Sequence, residues 1–352
     1  MYTESLKIAK LGSEWLERLI EDDGRFIYGY DCKSLKRIKG YNILRHFGSL
    51  WAMLDVYRET KNPDILNAVQ KSLDYMEKEY IQKSNLFESG ACWVAVEDSY
   101  IKLGANGLGA CAFFRFYSII NDYNDGHHLF NNIEYLNRGR SLIQYIANCI
   151  NPTTSLFDFH KRNVYTGKDK KFYSSFYPGE ALLALSKNLK FLINFTLMSA
   201  TILQTIAAYY EYFGKVGFVR DHWMMQAIEE ITKYADPTLI DNVLFPYASK
   251  IVETTLRDRP SKAAGPMACR SECLLSYIRF MDMAFPRWEQ RDIYLNIVKR
   301  QLKFQAKSFI KRGLSKGAFT HSPIETEVRN DYCQHNISSF IGYYRLLNDI
   351  AK

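Results

Sequence analysis

The sequence of 352 residues lacks the short motifs that mark several large enzyme classes. It has no Walker loop, no HExxH or paired Cys/His spacing for zinc, and no GxSxG turn for a serine nucleophile. The run LGANGLGA at 103–110 opens a predicted helix without a preceding strand, so it is a weak match to a dinucleotide-binding loop. We predict no cofactor and no metal ion, although convergence of His46, His222 and His335 on a metal stays open.

A disulfide pattern and a secretion signal are also missing. The seven cysteines are odd in number and scattered, without a CxxC pair, and none has an obvious histidine partner. The N-terminal segment has no apolar stretch followed by a small-residue cleavage site. The sequence therefore predicts reduced thiols and a cytoplasmic protein.

Charge is present but not concentrated. The net charge is +8, which suits anionic partners such as acidic glycans, yet no basic strand interleaved with aromatics indicates nucleic-acid binding. Residues 191–210 carry no charge and are long enough to span a bilayer, but six Ser, Thr, Asn and Gln residues dilute them. We predict a buried helix there and no membrane span.

Helical periodicity dominates the rest of the chain, with short extended pieces at 23–31, 85–96, 154–160 and 317–323. Some helices are almost uncharged, as at 104–121 and 195–210, and are predicted to be the most buried. Others alternate charged and apolar residues and are predicted to have a wet face. About twelve helices in six hairpins predict an all-α (α/α)6 toroid forming one domain over 1–352, with an open helical-repeat solenoid as the alternative. The predicted helices are 5–21, 41–60, 63–82, 104–121, 133–150, one starting at 178, 195–213, 221–235, 237–257, 265–284, 286–310 and 331–350.

Four segments resemble those of six-hairpin toroid proteins: GYNILRHFGSLWAMLDVY, YPGEALLAL, RDHWMMQAIEE and DYCQHNISSFIGYY. That grouping includes glycoside hydrolases, some polysaccharide lyases and sugar 2-epimerases. The resemblance is architectural and transfers no catalytic residue to this chain. It implies a toroid fold and makes a carbohydrate the expected substrate.

Polar residues at the starts of the inner helices are the candidate site residues, because these ends point toward the cavity of a toroid. Several also have a structural explanation. Glu180 suits the helix dipole, Asp221 is a standard N-cap, His46 suits a core, and Arg270 with Glu272 suits a surface ion pair. The predicted catalytic residues are Glu180, Asp221, His222, Glu272, Asp331 and His335. The predicted substrate-binding residues are Asn42, Arg45, His46, Tyr177, Trp223, Arg270 and Arg329.

The last predicted helix carries an unusual polar arc that contains Asp331, His335, Ser338, Gly342 and Arg345. Asp331 and His335 are four residues apart, so the acid is predicted to orient the imidazole. An ordinary solvated stripe is the alternative. We expect both side chains to face the central cavity, near Asn42, His46, Asp221, His222 and Glu272.

These residues favour a glycoside hydrolase that acts on an acidic or oligomeric glycan through two carboxylates. Arg45, Arg270 and Arg329 would then hold a carboxylate or phosphate of the substrate. A polysaccharide lyase or sugar epimerase with His or Tyr as the base is one alternative. A non-catalytic binding toroid is another, and the sequence leaves the oligomeric state open.

The cysteine pattern gives the first testable prediction. Thiol titration of the freshly isolated, denatured and unreduced protein should count close to all seven cysteines. Several intramolecular disulfides in that preparation would contradict it.

Overall fold

The computed structural model describes residues 2–86, 90–123, 132–257 and 262–350, and helices dominate these ranges. Most helices begin within a few residues of the predicted positions. The predicted helix 237–257 is divided, because a short helix and a π turn at Ile240–Leu244 precede its main part. The helices are α1 (Tyr2–Arg18), α2 (Ile43–Thr60), α3 (Pro63–Tyr80), α4 (Leu103–Tyr123), α5 (Ile133–Asn148), α6 (Tyr177–Lys187), α7 (Phe195–Val216), α8 (His222–Thr232), α9 (Pro237–Leu239), α10 (Phe245–Arg257), α11 (Ala264–Ala284), α12 (Arg291–Gln305) and α13 (Asn330–Ile350). The strands are β1 (Gly29–Asp31), β2 (Ile81–Ser84), β3 (Cys92–Glu97), β4 (Tyr100–Lys102), β5 (Lys161–Asn163) and β6 (Glu327–Arg329).

The chain divides into two compact units, which are described separately. Unit 1 consists of Met1–Glu79, Arg259–Arg279 and Arg287–Lys352. Unit 2 consists of Tyr80–Asp258 and Phe280–Pro286. The single domain over 1–352 stays a prediction.

In unit 1, α13 packs against α1 and α2, and β1 pairs with β6 in an antiparallel ribbon. Arg345 anchors the contact between α13 and α2, because its guanidinium donates to Asp55 at 3.0 Å and to Glu59 at 2.7 Å. Gly342 faces α11, where an added Cβ would lie 3.3 Å from Leu275. The polar arc of α13 is therefore directed at neighbouring helices, and the solvated alternative is wrong for these two positions.

In unit 2, α4 packs against α5 and α6, and α6 packs against α8. Four antiparallel strands in the order β2-β3-β4-β5 form the sheet of this unit. α4 is almost entirely buried, as its lack of charge predicted. Within the described residues, the window Leu103–Asp122 of α4 is the one helix long and apolar enough to cross a membrane, and 78% of that window is buried inside the protein.

The other uncharged helix differs from the prediction. Phe195 and Leu197, in the first turns of α7, are 41% and 66% exposed, whereas Ile202 and Ile206 are fully buried. α7 thus has one covered face and one open face although no charge marks the difference. The prediction that residues 195–210 are among the most buried is wrong, because a lack of charge permits burial without supplying a covering neighbour.

Glycines allow α4 to approach α6 closely. A Cβ on Gly104 would collide with the Glu180 carboxylate, and a Cβ on Gly107 would lie 2.6 Å from the Glu180 carbonyl oxygen. Backbone atoms cannot move aside as a flexible side chain can. Small residues at these two positions therefore set the distance between α4 and α6.

We predict that Gly107→Ala lowers the free energy of unfolding by about 1–3 kcal/mol, because the added methyl overpacks α4 against the α6 backbone. Gly214→Ala in α7 is the matched control. A Cβ there meets no described atom within 4 Å, so this change should raise stability by up to ~1 kcal/mol through helix propensity. Urea unfolding measures both, and equal effects of the two substitutions would contradict the close contact.

Candidate active site

Asp331, in the first turn of α13, binds two arginines of unit 1. Arg329 makes a bidentate contact, with its Nε 2.9 Å from Oδ1 and its Nη2 2.7 Å from Oδ2. Arg45, in the first turn of α2, places its Nε 3.1 Å from Oδ2. Both guanidinium carbons lie 5.3 Å from the centroid of the Tyr28 ring. The carboxylate and the ring thus hold two fixed positive groups side by side.

The β6 strand explains how Arg329 reaches this position. Residues two apart on a strand point to the same side, and Arg329 Nη1 lies 3.5 Å from a carboxylate oxygen of Glu327. The strand ends at Arg329, and Asp331 already belongs to α13. Burial lowers the pKa of Arg329, but the hydrogen bonds and the charge of Asp331 raise it by more. The pKa of Arg329 therefore lies above its ordinary value.

His335, one turn after Asp331, meets a different acid. Its Nδ1 lies 3.1 Å from Oε2 of Glu272 on α11, and the two side chains are 19% and 6% exposed. The prediction that Asp331 orients this imidazole is wrong, because the Asp331 oxygens are engaged by Arg45 and Arg329. Glu272 takes that role. The structural alternative of a surface ion pair for Arg270 and Glu272 is also wrong, since both are buried.

The pair of Glu272 and His335 retains a proton. Burial lowers the pKa of His335, but Cys269 and Glu272 oppose it through charge and hydrogen bonding, and the net pKa lies well above the ordinary value. Burial raises the pKa of Glu272, partly offset by His335 and by a hydrogen bond from Ser338. One proton shared by the two side chains satisfies both shifts. Both shifts favour the protonated forms, so His335 is positioned to donate a proton.

Cys269 is a member of this cluster that the sequence analysis missed. It lies one helical turn before Glu272 on α11, and its thiol contacts the His335 ring, so the expectation that no cysteine has a histidine partner is wrong. The i, i+3 spacing of Cys269 and Glu272 was the available signal. One donor atom each from Cys269, Glu272 and His335 lies within 4.8 Å of the others, so in unit 1 these side chains could hold a metal ion such as zinc.

Other predicted residues of unit 1 have structural roles. His46 is fully buried, with one ring nitrogen bonded to Tyr41 and the other 2.6 Å from the Ser72 hydroxyl, and burial lowers its pKa to about 3. Asn42 caps α2 by accepting hydrogen bonds from the backbone of Leu44 at 3.0 Å and of Arg45. The predicted roles of His46 and Asn42 in substrate binding gain no support from these contacts.

Unit 2 holds the remaining predicted residues. The Glu180 side chain is buried beside Gly104 and Tyr177. The pKa of Tyr177 is raised, mainly by burial and next by the charge of Glu180. His222 and Trp223, at the start of α8, are each 5% exposed, and their rings lie 4.4 Å apart. These residues lie at the ends of α6 and α8 as predicted, and their catalytic or binding roles stay predictions.

Asp221 caps α8 from a buried position. Its Oδ1 accepts hydrogen bonds from the backbone N–H groups of Trp223 at 2.9 Å and Met224 at 3.2 Å. Burial raises the pKa of Asp221 to about 8, and the two N–H donors only partly oppose this shift. The capping role that the sequence allowed for Asp221 is confirmed.

Comparison with known proteins identifies the fold. No protein-family profile and no curated protein sequence matches this chain. It is similar to the structure of a cellobiose 2-epimerase from Bacillus thermoamylovorans, with 14% identity, a TM-score of 0.69, and coverage of 98% of this chain and 100% of that chain. A D-mannose isomerase gives 10% identity and a TM-score of 0.64, with 98% of each chain covered. A GH76 α-mannanase from Bacteroides thetaiotaomicron gives 9% identity and 0.62, with 99% and 98% covered.

The fold is an (α/α)6 toroid. The prediction of an all-α toroid is confirmed by these likenesses over nearly the whole chain. The similar structures are carbohydrate-active enzymes: an epimerase, an isomerase and a hydrolase. At such low identities they establish the fold, and the chemistry has to be argued from the side chains.

The buried Asp221 gives a pH-dependent prediction. Its pKa in the folded protein lies above the unfolded value of 3.8, so its contribution to stability is present at acidic pH and is lost as pH rises toward 8. Asp221→Asn keeps a capping side chain but cannot ionise. The wild type should therefore lose stability relative to this variant between pH 5 and pH 8 by at least ~1 kcal/mol. Parallel urea unfolding series measure the difference, and a pH-independent difference would contradict the buried acid.

Proposed function

We propose that the protein is a carbohydrate-active enzyme that moves a proton on a sugar, as an epimerase or isomerase does, with His335 as the acid–base group. The observation that carries this proposal is the contact of Glu272 Oε2 with His335 Nδ1 at 3.1 Å. A carboxylate on one ring nitrogen fixes the tautomer and orientation of the ring and stabilises its charged form. His335 can then give its proton to the carbonyl oxygen of an open-chain sugar, and the ring nitrogen freed in this way takes up the proton that leaves the neighbouring carbon.

The neighbouring arginines supply a second element of such a site. Arg45 and Arg329 lie at the start of α2 and immediately before α13, and Asp331 and Tyr28 hold both of them in place. Positive groups near a reacting sugar stabilise the negative charge that develops on oxygen when a carbon-bound proton leaves. Their fixed position costs no reorganisation during the reaction.

A glycoside hydrolase is the second candidate. The raised pKa of the buried Glu272 carboxyl favours it, since such a group can protonate a leaving oxygen. The second carboxylate that hydrolysis requires is less evident in unit 1, because the Asp331 oxygens are bound by two guanidinium groups. The contacts around Glu272 and Asp331 therefore favour proton transfer by histidine.

One NMR experiment distinguishes the two reactions. The protein is incubated in D2O with cellobiose, mannose and α-mannan oligosaccharides, the sugars named in the similar enzymes. Deuterium entering a carbon-bound position of the sugar supports proton transfer, whereas new reducing ends without deuterium support hydrolysis. His335→Ala should lower the deuterium rate at least ~100-fold, the usual contribution of a positioned acid or base. An unchanged rate would contradict the proposal.

Glu272→Gln tests the orienting role of the acid. Without the carboxylate, the pKa of His335 should fall, so activity that needs the imidazolium should be lost at a lower pH than in the wild type. The pH profile of the deuterium rate and the ring C–H NMR signals of His335 should shift together. A chelator should leave activity intact and added zinc should inhibit. Loss of activity with the chelator, restored by zinc, would contradict the proton-transfer role and indicate a metal site.

A further inference from the structure

A cationic face of the sheet in unit 2 is not used by the proposed chemistry. On β4 and β5 and the strand-like segment that follows, three lysines point to the same side: Lys102, Lys161 and Lys170. Lys102 is the cross-strand partner of Lys161, and the Lys170 N–H donates to the Lys161 carbonyl at 3.0 Å. Side chains directly opposite each other on an antiparallel pair share one face. The three ammonium groups are therefore brought together by strand pairing.

These charges are only partly neutralised. Lys102 pairs with the buried carboxylate of Glu97. Within the described residues, the close contact of the other two ammonium groups is the Tyr100 ring, whose centroid lies 4.8 Å from Lys161 and 4.5 Å from Lys170. Burial lowers the pKa of Lys161, and the neighbouring Lys102 and Lys170 lower it further, while Glu97 and Asp98 oppose this effect. The two ammonium groups repel each other, and an anion bound between them would relieve this repulsion.

An exposed aromatic residue, Phe172, follows Lys170 by two residues. Phe172 is 43% exposed, and its ring packs 5.7 Å from the Tyr177 ring, which leaves part of the phenyl surface open. Burial raises the pKa of Tyr177, and the nearby carboxylates of Glu180 and then Glu97 raise it further. Phe172 thus lies one ring contact from Tyr177, and Tyr177 is close to Glu97, the buried partner of Lys102. A flat apolar ring beside ammonium groups is a combination that suits a sugar ring carrying an acidic group.

We propose that Lys161, Lys170 and Phe172 form a binding subsite for an anionic saccharide. The two ammonium groups hold a carboxylate or sulfate of the sugar, and the Phe172 ring stacks on the pyranose. The choice of a saccharide rests on the proposed function, whereas the preference for an anion rests on the lysines alone. Arg162, which pairs with Asp169 across the strands, follows Lys161 directly on β5. It therefore points to the opposite face of the strand from this subsite.

Binding is measured by isothermal titration calorimetry, which does not require turnover. The probes are a tetramer of galacturonic acid, a heparin tetrasaccharide, neutral cellotetraose and tripolyphosphate. The wild type should bind at least one acidic tetrasaccharide and bind cellotetraose at least about tenfold more weakly. The galacturonate and heparin arms tell carboxylate from sulfate. Binding of cellotetraose as tight as that of both acidic probes, or binding of none of the four, would overturn the proposal.

Variants locate the subsite. Lys161→Gln with Lys170→Gln should weaken the acidic saccharide about tenfold. The control, Lys215→Gln with Lys250→Gln on α7 and α10, removes the same charge and should change affinity less than twofold. Phe172→Ala should weaken the saccharide but leave tripolyphosphate unaffected. Equal losses in both lysine pairs would indicate non-specific attraction to a protein of charge +8 and overturn the proposal. Binding with these properties in a protein that moves no sugar proton would contradict only the proposed function.

Discussion

The start of a buried helix imposes the constraint on which the candidate site depends. The first N–H groups of a helix have no partner within it, so a polar group has to be supplied where the helix begins. Asn42 and Asp221 meet this need directly, since their side-chain oxygens accept from backbone N–H groups of α2 and α8. Asp331 lies inside the first turn of α13, as its second residue, and accepts from two guanidinium groups. Polar residues near a helix start thus take capping or binding roles according to their partners.

The sequence predicted what depends on local spacing and failed where distant partners decide. The helix of α13 and its polar arc follow from periodicity within twenty-one residues. The partner of His335 could not be found this way, because Glu272 lies 63 positions earlier and reaches it only through the packing of α11 on α13. Local spacing instead favoured Asp331 as the partner of His335, but Asp331 binds Arg45 and Arg329. Neighbouring residues on a helix face compete poorly with a charged partner supplied by another element.

The contrast between α4 and α7 shows the same limit for burial. Both helices are almost uncharged, and both were predicted to be among the most buried. α4 carries glycines where α6 approaches, so its sequence indicates which side a neighbouring helix covers. The first turns of α7 have no glycine at a close helix contact, and Phe195 and Leu197 there are exposed to solvent. The composition of a helix indicates whether it can be buried at low cost. Small residues at close contacts indicate which of its sides a neighbour covers.

Three acids are compensated in different ways: Asp331, Asp221 and Glu272. An ionised carboxylate away from water requires a counter-charge or a proton. Asp331 is compensated by guanidinium groups, which do not deprotonate in proteins, so this acid anchors arginines. Burial raises the pKa of Asp221 to about 8, so its proton compensates for the lack of a counter-charge, and its side chain caps α8. Glu272 alone is compensated by an imidazole, whose proton can be transferred. Of these three acids, Glu272 is the one that contacts a histidine, and our proposal of proton transfer rests on this contact.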